Sequence, residues 1–182
     1  ALDDINKVSF EEDDVVTLDD IPMILKDQQN ANTTKIPTGI AELDDDLLGG
    51  LPTESLVLAV GGTNVGKSIF CISLACNALR AEGNFKVLHI NLEGQRTEAI
   101  MRYIANLANV KLRDLLQQTW DKEDRKNMDE AMKKYGDRLK VRNMLGFGKT
   151  IEELVAVVRE EHKTYKFDLL VVDYGQLLKT QN

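Results

Sequence analysis

The chain has 182 residues, 43% apolar and 29% charged, with a formal net charge of −7. That composition suits one globular domain with a real hydrophobic core, and no apolar run reaches the ~18–20 residues that span a bilayer. The acidity is local. Residues 1–20 hold Asp3, Asp4, Glu11, Glu12, Asp13, Asp14, Asp19 and Asp20 against Lys7 alone. Removing these eight acids and one base from totals of 30 and 23 leaves 22 of each. The body is therefore neutral, and net charge neither supports nor excludes a DNA-binding surface on it. The start of the chain lacks a basic-then-apolar leader, which predicts a cytoplasmic protein. Cys71 and Cys76 lie in an apolar stretch without zinc-site spacing and read as reduced core thiols.

In chain order, residues 1–35 form an acidic arm or linker interrupted by Pro22. Ile21, Ile24 and Leu25 share a face if Leu18 to Gln28 is helical. The segment is either a solvated tail or a helix that docks on a neighbouring subunit. From Ile36 to the end the pattern is that of a folded α/β domain. Ile36-Pro37-Thr38-Gly39 precedes a helical spacing of Ile40, Leu43, Leu47 and Leu48, ended by Gly49-Gly50. Ser55 to Val60 is a short apolar run, expected to be a parallel strand buried on both faces. Residues 67–82 read as a helix with Ile69, Leu74, Ala75 and Leu79 inward. Lys86 to Asn91 is a second strand, followed by helices over Thr97 to Ala108, Lys111 to Gln118 and Asp121 to Lys134. Leu139 to Asn143 is a third strand. Thr150 caps a helix to about Tyr165, with Glu153 placed for a capping box, and Phe167 to Tyr174 is a last strand. Strands alternating with helices predict a mainly parallel sheet.

The chemistry is concentrated in Gly61-Gly62-Thr63-Asn64-Val65-Gly66-Lys67-Ser68, a full match to G-x-x-x-x-G-K-[ST]. Such a loop curls so that successive N–H groups point inward as an anion nest, and the helix that follows adds the positive end of its dipole. The motif predicts binding of a nucleoside triphosphate, ATP with Mg2+. Lys67 would reach the β- and γ-phosphates and the Ser68 hydroxyl would ligate the metal. Asp173 ends Leu169-Leu170-Val171-Val172-Asp173, a strand of Walker B shape, and is the candidate metal-side acid at the carboxyl edge of the sheet. Asp168 opens that strand and belongs at the opposite edge. Glu93, just past the second strand, is a candidate catalytic base. His89 and His162 read as core or surface residues. Trp120 and the scattered tyrosines form no base-stacking series.

With these residues in place, positions 36–178 resemble the ATPase domain of DnaB-type hexameric replicative helicases, a RecA-like fold, and most of all the T-even-type phage versions. The resemblance rests on the Ile36-Pro37-Thr38-Gly39 entry with Leu43 and Leu51, on the Gly-Thr-Asn-Val-Gly-Lys-Ser loop, and on Asn91-Leu92-Glu93 with Met101-Arg102. Val172-Asp173-Tyr174 with Gln176 and Leu177 completes it, and Gly175 departs from the bulky residue usual there. It implies that Glu93 is the catalytic base, and that a six-membered ring moves along single-stranded DNA. It also implies sites shared between subunits with an arginine from the neighbour, a linker helix docked on the next subunit, and a primase or helicase loader as partner. In the family, further strands, DNA-binding loops and that arginine follow the Walker B strand, one strand lying between it and the P-loop strand. Only nine residues follow Asp173. The expectation is a portion of a longer protein that does not unwind DNA alone. Two other readings stay open: a RecA-, RadA- or KaiC-like recombinase or clock ATPase, and a nucleotide-sensing module that hydrolyses weakly.

Overall fold

The computed structural model describes residues 17–23, 26, 34–92, 96–144, 150–173, 175, 178 and 179. The chain divides into two units, Ala1–Thr33 and Thr34–Asn182. In the first, Thr17 opens a 3-10 turn over Leu18–Asp20, its N–H and hydroxyl both donating to Asp20 Oδ2 at 2.8 and 2.9 Å. Residues 21–23 and 26 are helical. Ile24, Leu25, Gln28 and the acids before Thr17 lie outside the described residues.

The second unit begins with a two-stranded antiparallel ribbon, β1 (Lys35–Ile36) and β2 (Leu51–Pro52), enclosing the short helix α1 (Ala41–Asp46). The helical spacing after Thr38 is borne out in α1, but the ribbon carries no periodicity from which a sequence could predict it. The rest alternates: α2 (Lys67–Arg80), β3 (Val87–Asn91), α3 (Arg96–Ala108), α4 (Leu112–Gln117), α5 (Lys122–Tyr135), β4 (Leu139–Asn143), α6 (Ile151–Thr164) and β5 (Leu169–Asp173). Thr150 and Glu153 form the expected capping box, each side chain accepting the other's backbone N–H at 3.2 Å. That reciprocal pairing satisfies donors the helix cannot satisfy internally.

The sheet is parallel, in the order β4-β3-β5. β3 is central and buried at all five positions, as a near-continuous apolar strand covered on both faces should be. Its side chains alternate between two cores. Val87 packs with Val171, Tyr103 and the inner face of α2, whereas Leu88 and Ile90 pack with Tyr165 and α6. Fully burying each such aliphatic side chain contributes about 1.5–3 kcal/mol. These two layers hold the sheet between α2, α3 and α5 on one side and α6 on the other.

One expected strand is not formed. Residues 55–60 are neither strand nor buried: Leu56, Leu58 and Val60 are 86%, 74% and 90% exposed. A strand exists only where a neighbour pairs with its N–H and C=O groups. β5 ends the sheet, and among the described residues no strand lies beyond it. The apolar run thus has neither a ladder to join nor a layer to cover it. Ile69, expected inward, is 59% exposed for the same reason, while the face beginning one turn later, Ile72, Ala75, Cys76 and Leu79, is buried.

Candidate nucleotide site

Residues 61–68 curl without a regular ladder into the first turn of α2. Asn64 and Gly66 supply the left-handed steps, at φ 60° and 95°. Asn tolerates that region through local hydrogen bonding and Gly through its missing Cβ. Gly66 is the N-cap of α2 and offers no side chain to its N–H groups, so the helix terminus is left open to an external anion. Residues 61–65 are exposed and Gly66, Lys67 and Ser68 half-buried. The Lys67 ammonium donates to the carbonyls of Gly61 and Gly62 at 3.0 and 2.5 Å. Among the described residues no carboxylate pairs with it. A lysine at the uncapped start of a helix, with carbonyl dipoles against its charge, fits an anionic ligand such as a phosphate chain.

Asp173 ends β5 in register with Asn91 of β3, which in turn faces Asn143 of β4. The three side chains thus stand in one row at the carboxyl edge, on the face turned to α2. Asn91 donates its amide to Asn143 Oδ1 at 3.2 Å. Asp173 lies near enough to α2 that its charge, after burial, raises the thiol pKa of Cys71, one turn beyond Ser68. A carboxylate near the first turns of the P-loop helix, with a half-buried hydroxyl at Ser68, fits a hard, oxygen-seeking cation such as Mg2+. Among the described residues no cluster of three or more His, Cys, Asp or Glu side chains offers a self-contained metal cage; a P-loop site takes its remaining oxygens from phosphate and water.

Glu93 lies outside the described residues. The chain nonetheless leaves β3 at this same edge, because Leu92 donates its N–H to the Asp173 carbonyl at 2.8 Å. Asp168 accepts the Lys86 N–H at 2.7 Å at the opposite edge, away from the loop, as expected. Met101 and Arg102 lie on α3, where Arg102 bonds Glu98 at 2.6 Å. Cys71 and Cys76 are free thiols, and burial pushes Cys76 up to about 12.

Two polar groupings carry little signal of their pairing in the sequence. Thr38, 1% exposed, donates its N–H and hydroxyl to Asp44 Oδ1 at 2.7 and 2.6 Å, while Gly39 N–H donates to Oδ2 at 3.0 Å. Burial works against ionisation of Asp44, and these hydrogen bonds outweigh it, so its carboxyl pKa is lowered. The second grouping is His89, buried beneath the row at the sheet edge and bonded through Nδ1 to the Tyr103 hydroxyl at 2.9 Å. A histidine and an asparagine two apart in an otherwise apolar strand were the only visible trace of it.

The family model for the DnaB-like helicase C terminal domain matches residues 35–182. The replicative DNA helicase DnaB of Haemophilus influenzae is 31% identical over 94 residues, 52% of this chain and 20% of that protein. A solved DnaB-like replicative helicase, described together with its interactions with primase, superposes with a TM-score of 0.73 at 20% identity. The match covers 93% of this chain and 41% of that one. A second solved structure, the ATPase domain of a phage protein, gives a TM-score of 0.70 at 20% identity, over 91% of this chain and 60% of that one. At such identity the structural likeness speaks for the fold. The chain spans about a fifth of the length of the curated relative.

Proposed function

The chain belongs to the family of DnaB-like helicase C-terminal domains, and from that membership we propose that it is part of the ATP-hydrolysing motor of a replicative helicase. The observation that carries this reading is that Lys67, held by the Gly61 and Gly62 carbonyls, and Asp173, whose charge reaches Cys71, both stand at the start of α2. In this mechanism the N–H groups of residues 61–68 hold the phosphates of ATP. Lys67 neutralises the β- and γ-oxygens, and the Ser68 hydroxyl and Asp173 would hold Mg2+. When bound, the metal supplies further neutralisation of phosphate charge. Glu93 takes a proton from the attacking water as its oxygen bonds the γ-phosphorus. The bond to the bridging oxygen breaks, and ADP and phosphate leave.

The family's assembly supplies the rest of the reading. Six copies form a ring around single-stranded DNA, an arginine from the neighbour completes each site, and primase or a helicase loader is the partner. The segment Leu18 to Gln28 docks on the adjacent subunit. Leu18, Ile21 and Met23 expose apolar side chains suited to this, and an apolar cavity of about 470 Å³ among α3, α4, α5 and β4, lined by Ile104, Leu107, Trp120 and Met128, is a receptor of suitable chemistry on the next copy.

The deciding experiment measures ATPase activity with and without single-stranded DNA, together with mass in solution, on the full-length protein. A DNA-stimulated ATPase in a ring-sized particle is expected. A monomer whose ATPase ignores single-stranded DNA would overturn the proposal.

A further inference from the structure

The middle of β3 carries a histidine where packing alone would favour an apolar residue such as its neighbours Leu88 and Ile90. His89 is 1% exposed. Its ring meets Tyr103 edge-on at 5.7 Å between centroids, with Nδ1 2.9 Å from the hydroxyl. Nε2 on the other side of the ring is equally buried and has no hydrogen-bond partner. Leaving a buried ring nitrogen unpaired costs stability, so the position asks for an acceptor or donor beyond the packed neighbours.

The acceptor is indicated by the sheet register. His89 faces Val171 and Asn91 faces Asp173, so His89 and Asp173 are diagonal neighbours on the face turned to α2 and α3. Strands about 4.8 Å apart and a two-residue rise of about 6.6 Å put their Cα atoms roughly 8 Å from one another. With Nε2 unpartnered, an imidazole and a carboxylate so placed are bridged by one water. Burial pushes the His89 pKa down, and the opposing influence is the charge of Asp173. Asn91, directly opposite Asp173, gives its amide to Asn143 instead.

We propose that His89 is a positioning residue for Asp173: with Nδ1 accepting the Tyr103 hydroxyl proton, Nε2 carries the ring hydrogen and donates it toward the Asp173 carboxylate through one ordered water. One carboxylate oxygen is then held from below, and the other is free for the magnesium side of the P-loop. This is the outer-shell role that hydrogen-bond donors play toward metal-ligating carboxylates. The inference rests on the reading of Asp173 as the metal-side acid.

The test uses the full-length protein and the Mg2+ concentration needed for half-maximal binding of a non-hydrolysable ATP analogue, followed by fluorescence, with thermal melts to establish folding. His89→Gln keeps an N–H donor near the reach of Nε2 and should stay within about threefold of the parent. His89→Asn places its donor near Nδ1, toward Tyr103, and should need about tenfold more Mg2+, with Mg2+-free nucleotide binding unchanged. A purely structural histidine, kept for its bond to Tyr103, gives the reverse order, and that order or equal values would overturn the proposal. Should neither variant fold, Tyr103→Phe keeps the packing and removes the hydroxyl that sets the tautomer. It should raise the Mg2+ requirement about threefold, and an unchanged value would overturn the proposal. Asp173→Asn is measured alongside. If it leaves the Mg2+ requirement unchanged, the metal-side reading of Asp173 falls and takes this inference with it. If it raises the requirement while the His89 variants do not, the inference alone falls.

Discussion

Asn77 donates its side-chain amide to the Thr38 carbonyl at 2.7 Å, tying the entry segment to the middle of the helix that begins at Lys67. Thr38 is itself anchored by Asp44, so α1, the Thr-Gly corner and α2 are joined by one polar chain. Gly39, at φ 74°, lets the backbone pass against the Asn77 side chain, where a Cβ would collide with the amide. Asn77→Ala leaves a buried carbonyl without its donor. The expected loss is on the order of 1–3 kcal/mol, read as a lower urea midpoint at unchanged m-value. An unchanged midpoint would show that water replaces the amide.

The left-handed turn at Gly66 carries a second prediction. Nothing lies within 4 Å of a Cβ built there, yet φ is 95°. Gly66→Ala therefore meets backbone strain without a clash, at about 1–2 kcal/mol. A fall in melting temperature together with weaker nucleotide binding is expected. Gly62→Ala has no positive φ and only an ordinary 3.8 Å contact with Val65 to meet, so its melting temperature should match the parent.

Lys67→Ala removes the charge that lies across the loop. A hydrogen bond to a charged group contributes about 1.5–3 kcal/mol. At 1.4 kcal/mol per decade, ATP affinity should fall roughly 10- to 150-fold, measurable by calorimetry. Tight, unchanged binding would remove the case for residues 61–68.

Glu93→Gln in the full-length protein separates binding from turnover. Loss of a general base typically costs about 10²- to 10⁴-fold in rate with nucleotide affinity retained. Normal turnover would demote Glu93 to a surface residue and leave the phosphate site intact.

Stability should fall on mild acidification because of His89. Its folded pKa lies below the ordinary 6.5, pushed down first by burial and partly restored by Asp173. Below 6.5 the unfolded chain binds a proton that the folded chain refuses. Stability is thus present above that value and lost as pH falls toward the folded pKa. Between pH 7.5 and 5.5 the melting temperature of the parent should drop more than that of His89→Leu. Parallel curves would mean that His89 titrates alike in both states.

Much of the architecture was legible because it is local. The helices α2 to α6 follow from apolar spacing and caps, and Thr150 with Glu153 identifies the start of α6 from four residues of sequence. β3, β4 and β5 fall within the predicted runs because chains of Val, Leu and Ile, bounded by polar turns, favour extended structure wherever a sheet accepts them. Ser55 to Val60 has the same composition and forms no strand. Composition states only that a segment suits a strand; pairing is a property of its neighbours, and no described strand stands beside it.

The P-loop marks the same division. Its glycines, its lysine and its serine are set by spacing, since an anion nest is built from consecutive residues and is complete within one short segment. Asp173 was legible as a strand-ending acid, but its place beside α2 was not. That depended on β5 pairing with β3 in the register Asn91 to Asp173, across residues far apart in the chain. The polar chain from Asp44 through Thr38 to Asn77, and the burial of His89 on the same sheet face as Asp173, were likewise decided by packing. Side chains with no local partner take their meaning from whatever the fold sets against them, and a linear pattern does not carry that information.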